Sequence, residues 1–445
     1  MWKHCSKLPL VLHAVVLLWM CGSLAAQTQE PLPPEGPRAD SRYADDVPAN
    51  GGAAVELDSK ITRNDNILSN NENRVGDNAF QEGALLDVWK TTPLWNLEIT
   101  YHPTALFYQT YSAFNALDQN FKLDGGYHAS PNLQFRWTES FQDTTGILES
   151  PSNEYFSLPT GPPPSLNATL FTPLARELAN QTELHVVYDI SHRSSIDVSG
   201  SYAFINFSGV GNSAPNLFNT QTGTGGLSYQ YRLTRHFTIG GRYLFQEFHY
   251  GQGSPDGTQS MFLTALWEMR PHVTLSFFGG SQFSTAGGLF LLPMANVSAP
   301  GNAPPSGPAK EWVPAGGASL TLRSDRTVLR LTAQRLITDG GGLLTTVMNQ
   351  YEGMELRRRL GYHLDLVLTA ANARSVALFE SPGNGAVDTQ SAGIAIEHPV
   401  FEDLNIHFEY DFLRQRINQF VPFEANANIN QYTVAISYRI GDHKD

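Results

Sequence analysis

Residues Gln119–Gln142 read QNFKLDGGYHASPNLQFRWTESFQ. Phe121, Leu123, Gly125 and Tyr127 alternate with Lys122, Asp124, Gly126 and His128. After a break at Ser130, Pro131 and Asn132, Leu133, Phe135 and Trp137 alternate with Gln134, Arg136 and Thr138. Alternation at period two describes strands with one apolar and one polar face. The Ser-Pro-Asn break has the side chains of a tight turn, so the stretch is a β-hairpin.

The same unit recurs to the C-terminus. Leu184, Val186, Tyr188 and Ile190 lead through a turn at 191–194 into Ile196, Val198, Gly200 and Tyr202. Leu227, Tyr229 and Tyr231 lead into Phe237, Ile239, Gly241 and Tyr243. Met261, Leu263, Ala265 and Trp267 lead into Val273, Leu275 and Phe277. Residues 343–360 alternate poorly, and a strand is placed there because its neighbours require one. Counting from Trp95 to Ile440 gives about 16 strands, an even number, as a closed antiparallel barrel with both ends on one side requires.

Connection lengths alternate as well. Those after His128, Ile190, Leu233, Met269, Arg323, Arg359 and His398 are short. Those near 109–118, 143–182, 208–218, 251–258, 283–310, 373–388 and 413–428 are mostly longer and carry Gly, Pro, Asn and Ser. Short turns on one rim and long loops on the other are the asymmetry of outer-membrane barrels. No later stretch reaches the length of a spanning helix. The loops at 143–182, with its Gly-Pro-Pro-Pro at 161–164, and at 283–310 are candidates to fold inward as a constriction.

Charge placement sharpens the assignment. Lys122, Asp124, Arg136, Asp197, Arg242, Arg330, Asp365, Glu409 and Arg439 share the polar phase. A cation on the lipid face at the bilayer midplane would cost about 2–4 kcal/mol. Glu139, Glu247 and Arg335 fall instead on the apolar phase, near strand ends where that cost fades. Tyr127, Tyr231, Phe237, Trp267 and Tyr438 stand where strands meet turns, as an interfacial aromatic girdle would.

Residues 1–26 have the form of a cleaved signal peptide. Lys3 and Lys7 precede the apolar run Leu8–Met20, with small residues at Ala25 and Ala26. Residues 27–93 are expected to be a mobile periplasmic arm. PLPPEGP at 31–37 holds neither helix nor sheet, and 40–78 is dense in Asp, Asn, Glu and Ser. The segment ALLDVW at 84–89 is its one candidate anchor. The barrel is then assigned to 94–445. Only 16% of residues are charged, and the two cysteines, Cys5 and Cys21, both lie in the leader. A net charge of -13 argues against a nucleic-acid partner, which needs a basic face.

Catalytic and metal motifs are not evident. Gly223, Gly225 and Gly226 lack the Lys-Ser/Thr of a phosphate loop. His249 with Asp256, or His185 with Ser199, are the pairs a barrel enzyme would use, and neither spacing is diagnostic. The expectation is a non-enzyme without cofactor or metal. Arg357, Arg358 and Arg359 form a basic run at a short turn, where anionic headgroups would lie.

The strand-and-turn rhythm over 95–440 resembles the bacterial outer-membrane β-barrels. Thr433, Ala435, Tyr438 and Ile440 stand at the positions of the C-terminal signal of that class, with Ala435 for a glycine and Ile440 for the last aromatic. The resemblance implies a Gram-negative outer-membrane location, a lipid surround and the barrel insertion machinery as a partner. Asn96–Phe141 looks like the barrel porins linked to exopolysaccharide export, which implies a polysaccharide-related role.

The reading is an all-β transmembrane barrel that passes polar solutes or polysaccharide, with Lys122, Asp124, Arg136, Arg242, Arg330 and Asp365 lining the lumen. Two rivals stand beside it: a plugged, non-conducting barrel that holds a partner, and a soluble secreted β-propeller that binds carbohydrate.

Overall fold

The computed structural model describes residues 50–72, 74–145, 175–209, 217–251, 255–270, 272–285, 310–361, 364–378, 385–401, 403–418 and 426–441. Eighteen strands run through them in chain order. They are β1 Asn50–Asn64, β2 Asp77–Thr91, β3 Trp95–Tyr108, β4 Ala116–Ser130, β5 Leu133–Thr144 and β6 Ala175–Ser191. Next come β7 Ser194–Gly209, β8 Thr220–Thr234, β9 Phe237–Tyr250, β10 Asp256–Arg270, β11 Val273–Thr285 and β12 Lys310–Ser324. The last six are β13 Thr327–Gly340, β14 Leu344–Arg359, β15 Asp365–Ala377, β16 Ala386–Phe401, β17 Leu404–Asn418 and β18 Ala427–Gly441.

Each strand pairs antiparallel with its chain neighbours, and β1 pairs with β18, so one sheet closes on itself. A closed sheet has no unpaired edge. This single closed sheet excludes the β-propeller, whose blades are separate sheets around a channel. The strands run from 12 to 17 residues, where about 9–11 suffice to cross a bilayer, so the wall stands above the membrane.

The two faces follow the alternation. Leu57, Ile61, Leu184, Val198, Leu227, Leu263 and Phe277 are exposed on the outside. Residues of the opposite phase, among them Asp58, Thr62, Thr222, Ser276 and Thr433, are buried on the inside. Tyr127, Tyr231, Phe237, Trp267 and Tyr438 all carry the outer phase at the short-turn rim, where Phe237 and Trp267 meet edge to face at 6.4 Å. At Gly125 a Cβ would run into the Trp137 indole, so the glycine lets that ring lie flat on the wall.

The N-terminal boundary is a correction. Sixteen strands do run from Trp95 onward, but residues 50–91 are the other two and not part of a mobile arm. The candidate anchor 84–89 lies inside β2. The Asn- and Asp-rich connection at 65–76 is polar because it bonds across the closure. Asp65 Oδ1 accepts from Asn430 N at 2.8 Å, and Asn66 Nδ2 donates to Asn428 O at 3.0 Å. Asn71 Oδ1 accepts from Asn428 N at 2.8 Å. Ile67, 2% exposed, anchors the same connection against Ala79, Leu106 and Tyr108. The signal-peptide segment and the rest of the arm, 1–49, lie outside the described residues.

Removing 50–91 would expose the outer edges of β3 and β18. The expected outcome is a chain without the heat-dependent gel shift of a folded barrel. A normal shift would mean that β1 and β2 are dispensable.

Candidate functional site

The lumen is defined by the inner phase of the eighteen strands and by one hairpin that leaves the wall. β12 and β13 stay paired from the turn at Asp325 only up to Gly316 and Arg335. Beyond Arg335, β13 and β14 continue as a pair, β14 keeps its ladder to β15 as far as Val347 opposite Ala377, and the tip of the hairpin packs against residues of the inner wall. The connection is at the long-loop rim, yet Gly341 to Leu343 is among its shortest. Gly341 and Gly342 sit at φ 56° and 83°, a backbone region that glycine enters without strain. A Cβ on Gly342 would meet the Phe207 ring.

Three apolar clusters seat this hairpin. Leu336 packs with Leu244, Phe262 and Ala315. Ile337 and Met348 pack with Phe248 and Val313. Leu343, Leu344 and Val347 pack with Val387, with Leu217 and Ile417 alongside. The hairpin therefore touches β9, β10 and β12 on one side and β16 and β17 on the other, which makes it a bar across the mouth. Each fully buried Leu, Ile, Val or Met adds about 1.5–3 kcal/mol to its seating.

Polar contacts fix the same geometry. Gln282 Oε1 accepts from Ile337 N at 2.8 Å, while its Nε2 donates to Ser260 Oγ at 3.0 Å. Thr346 Oγ1 donates to Asp256 Oδ2 at 2.6 Å, and Phe218 N donates to Gly342 O at 2.8 Å.

This explains the poor alternation at 343–360. The upper part of β14 is buried on both faces, so apolar residues occupy both phases: Val347 and Met348 are 0% and 6% exposed. The segments expected to constrict the lumen, 143–182 and 283–310, fall mostly outside the described residues.

Below the hairpin the wall is polar and charged. All six residues assigned to the lumen stand on the inner phase. Lys122 and Asp124 form an ion pair on β4 at 3.0 Å, with side chains 49% and 36% exposed. Thr138 on β5 donates to Asp124 at 2.9 Å. Arg136 is level with Gly126 and His185, and donates to Gln134 at 3.1 Å. Arg242 on β9 lies between Ser228 and Phe262 in register. Arg330 pairs with Glu355 at 3.1 Å. Asp365 pairs with Arg357 at 3.4 Å and with Arg359 at 3.5 Å. The structure thus joins Lys122, Asp124 and Arg136 on one stretch of wall and spreads the other three around the ring.

Two corrections concern the remaining candidates. His249 and Asp256 stand on opposite faces: His249 meets Glu247 at 3.1 Å, whereas Asp256 holds the hairpin. His185 is level with Ser199, but its ring nitrogens face Glu183 at 2.8 Å and Asp197 at 3.1 Å. In the basic run, Arg357 and Arg359 bind carboxylates on the inner wall, and Arg357 also reaches Glu397 at 3.0 Å.

Sequence reasoning missed several inner groups. His407 lies 3.2 Å from Glu409 and 3.7 Å from Glu397, which repeats the bracketing of His185. Asp58 on β1 meets His102 on β3 at 2.8 Å. Their period-two phase was the available signal, and for Asp58 it was hidden by the assignment of β1 to an arm. Among the described residues there is no group of His, Cys, Asp and Glu able to hold a metal ion.

A closed antiparallel barrel with an apolar exterior, a polar interior and short turns on one rim is a transmembrane barrel of the outer-membrane class. Solved structures with a similar fold include OpdO of Pseudomonas aeruginosa, at 12% identity and TM-score 0.44 over 88% of this chain and 97% of that one. OccK2 (OpdF) of P. aeruginosa matches at 11% identity and TM-score 0.45, over 88% and 98%. A BenF-like porin from Pseudomonas fluorescens Pf-5 matches at 11% and 0.45, over 88% and 99%. No family model matches the chain, and no curated protein matches its sequence.

Replacing Leu343 and Leu344 together with Asp would put two charges into an apolar seat. The hairpin is expected to leave the lumen, read as a protease-sensitive site near 343 in an otherwise folded barrel. Full resistance would show that other contacts hold it.

Proposed function

We propose that the chain is an outer-membrane pore for small polar solutes, with a lumen narrowed by the β13–β14 hairpin. The observation that supports this most directly is the combination of that hairpin with a charged inner wall beneath it. Lys122, Asp124, Arg136, Arg242, Arg330 and Asp365 are the groups a solute would meet. Exposed charge keeps water in a channel, and the bar sets the size of what enters beside it. Cations and carboxylates alternate on the wall, so the selectivity between small ions is weak. A polysaccharide would need the hairpin to swing out of the lumen, and for that reason small solutes are the favoured cargo.

One observation favours a second reading. The hairpin is seated by three apolar clusters, as a permanent plug would be, and a non-conducting barrel has the same wall. Planar-bilayer recording separates the two. The expected result is steady conductance that rises severalfold when 337–347 is replaced by a short Gly-Ser turn. A silent native protein that conducts only after this replacement would establish the hairpin as a plug, and silence in both, with the gel shift intact, would overturn the pore. Arg136→Glu with Arg242→Glu is expected to move the reversal potential toward cation preference. An unchanged potential would remove these two arginines from the permeation path.

A further inference from the structure

Arg335 is on the apolar phase, where the cost of a cation makes it an anomaly. The structure places it at the bend where β13 leaves the wall, exposed on the outer face. It is not isolated. The register runs Arg335, Gln350, Arg374, Asp388, Arg416 across five adjacent strands, one residue per strand. One step nearer the short turns, the parallel row is Ala333, Glu352, Asn372, Gln390, Arg414. One further step gives Leu331, Met354, Ala370, Ala392, Phe412, which is fully apolar or aromatic. The outer surface of β13–β17 therefore changes from lipid-compatible to cationic within two rows.

The height fits the edge of the membrane. Arg335 is nine residues past Arg326 in the short turn. A strand tilted by about 40° climbs roughly 2.6 Å per residue, which puts Arg335 about 23 Å above that turn. The apolar band of such barrels is about 25 Å tall. The row thus meets the headgroup layer on the long-loop side, which is the outer leaflet.

The chemistry fits phosphate. Arginine presents a planar fork that pairs with two phosphate oxygens. With strands about 4.8 Å apart, Arg335, Arg374 and Arg416 are spaced at roughly 10 Å along the row. Two carboxylates temper the patch: Asp388 stands 3.6 Å from Arg374, and Glu352 lies in the next row. The four arginines still outnumber them, in a chain whose net charge is -13. Among the described residues, the far side of the barrel has no such excess near its long-loop rim. There Arg176 is matched to Asp143 at 2.6 Å, Glu139 accepts from Asn180 and Thr182, and Glu247 faces His249.

We propose that this arc, through Arg335, Arg374 and Arg416, binds the phosphate groups of a phosphorylated glycolipid in the outer leaflet. The inference rests on the membrane reading above but not on conduction. A barrel that never conducts and still selects phosphorylated lipid would leave it standing.

The probe is lipid A carrying both phosphates, compared with its dephosphorylated form, each added to the full-length protein in detergent. Bound lipid is counted by native mass spectrometry. The wild-type protein is expected to retain the phosphorylated form preferentially. Arg335→Gln, Arg374→Gln and Arg416→Gln together are expected to weaken that binding at least about tenfold, since each interfacial arginine contributes on the order of a severalfold factor. The gel shift checks folding, and binding of the dephosphorylated form stays the same.

Equal retention of both lipids by the wild-type protein would overturn the proposal without any variant. So would unchanged binding in the triple variant. If the variant instead converts an oligomer to a monomer with lipid binding intact, the row is a subunit contact and the proposal falls.

Discussion

The pairing of β1 with β18 is the constraint on which the molecule depends. Inside a bilayer no water is available to an open strand, and each unsatisfied backbone group costs several kcal/mol. The first and last strands must therefore find each other across the whole chain. The register is unbroken from Ala54 opposite Gly441 to Asn64 opposite Gln431. Around it, side chains reinforce the join: Thr62 and Thr433 share a buried hydrogen bond at 3.1 Å. Once the ring is closed, the alternation of every strand has a defined inside and outside. The charged wall, the aromatic rim and the outer arginine row all follow from that.

The β13–β14 hairpin solves a related problem in another way. β13 parts from β12, so the two give up a shared ladder beyond Gly316 and Arg335, while β14 stays paired with β15 as far as Val347 opposite Ala377. The side-chain amide of Gln282 takes over for one of the lost partners, at Ile337 N. Apolar packing against Phe248, Val313 and Val387 offsets the remainder. The bar is possible because the strands rise beyond the membrane, where a break in the wall meets water and not lipid.

Much of this was legible in the sequence. From Trp95 onward the alternation, the turn residues and the phase of the charges pointed to the strands, their order and their inner faces, because a barrel strand faces two solvents of opposite character. The reading failed where side chains serve another purpose. At 65–76 asparagines and aspartates look like solvated chain, but they bond to backbone across the closure, a use that composition does not reveal. That misreading took β1 and β2 with it. At 336–348 the two faces are both buried, and periodicity vanishes. Arg335 broke the alternation because β13 parts from β12 there, at the height where the outer face leaves the apolar band.

The connection at 65–76 has one more consequence. Its donors and acceptors are made near the start of the chain, and their partners, Asn426, Asn428 and Asn430, come near the end. A polypeptide cut short before β18 leaves the bonds from Asp65, Asn66 and Asn71 to that strand unmade and the ring open. Completion of the barrel thus doubles as a test of length: only a chain synthesised to its last strand can satisfy the groups laid down by its first.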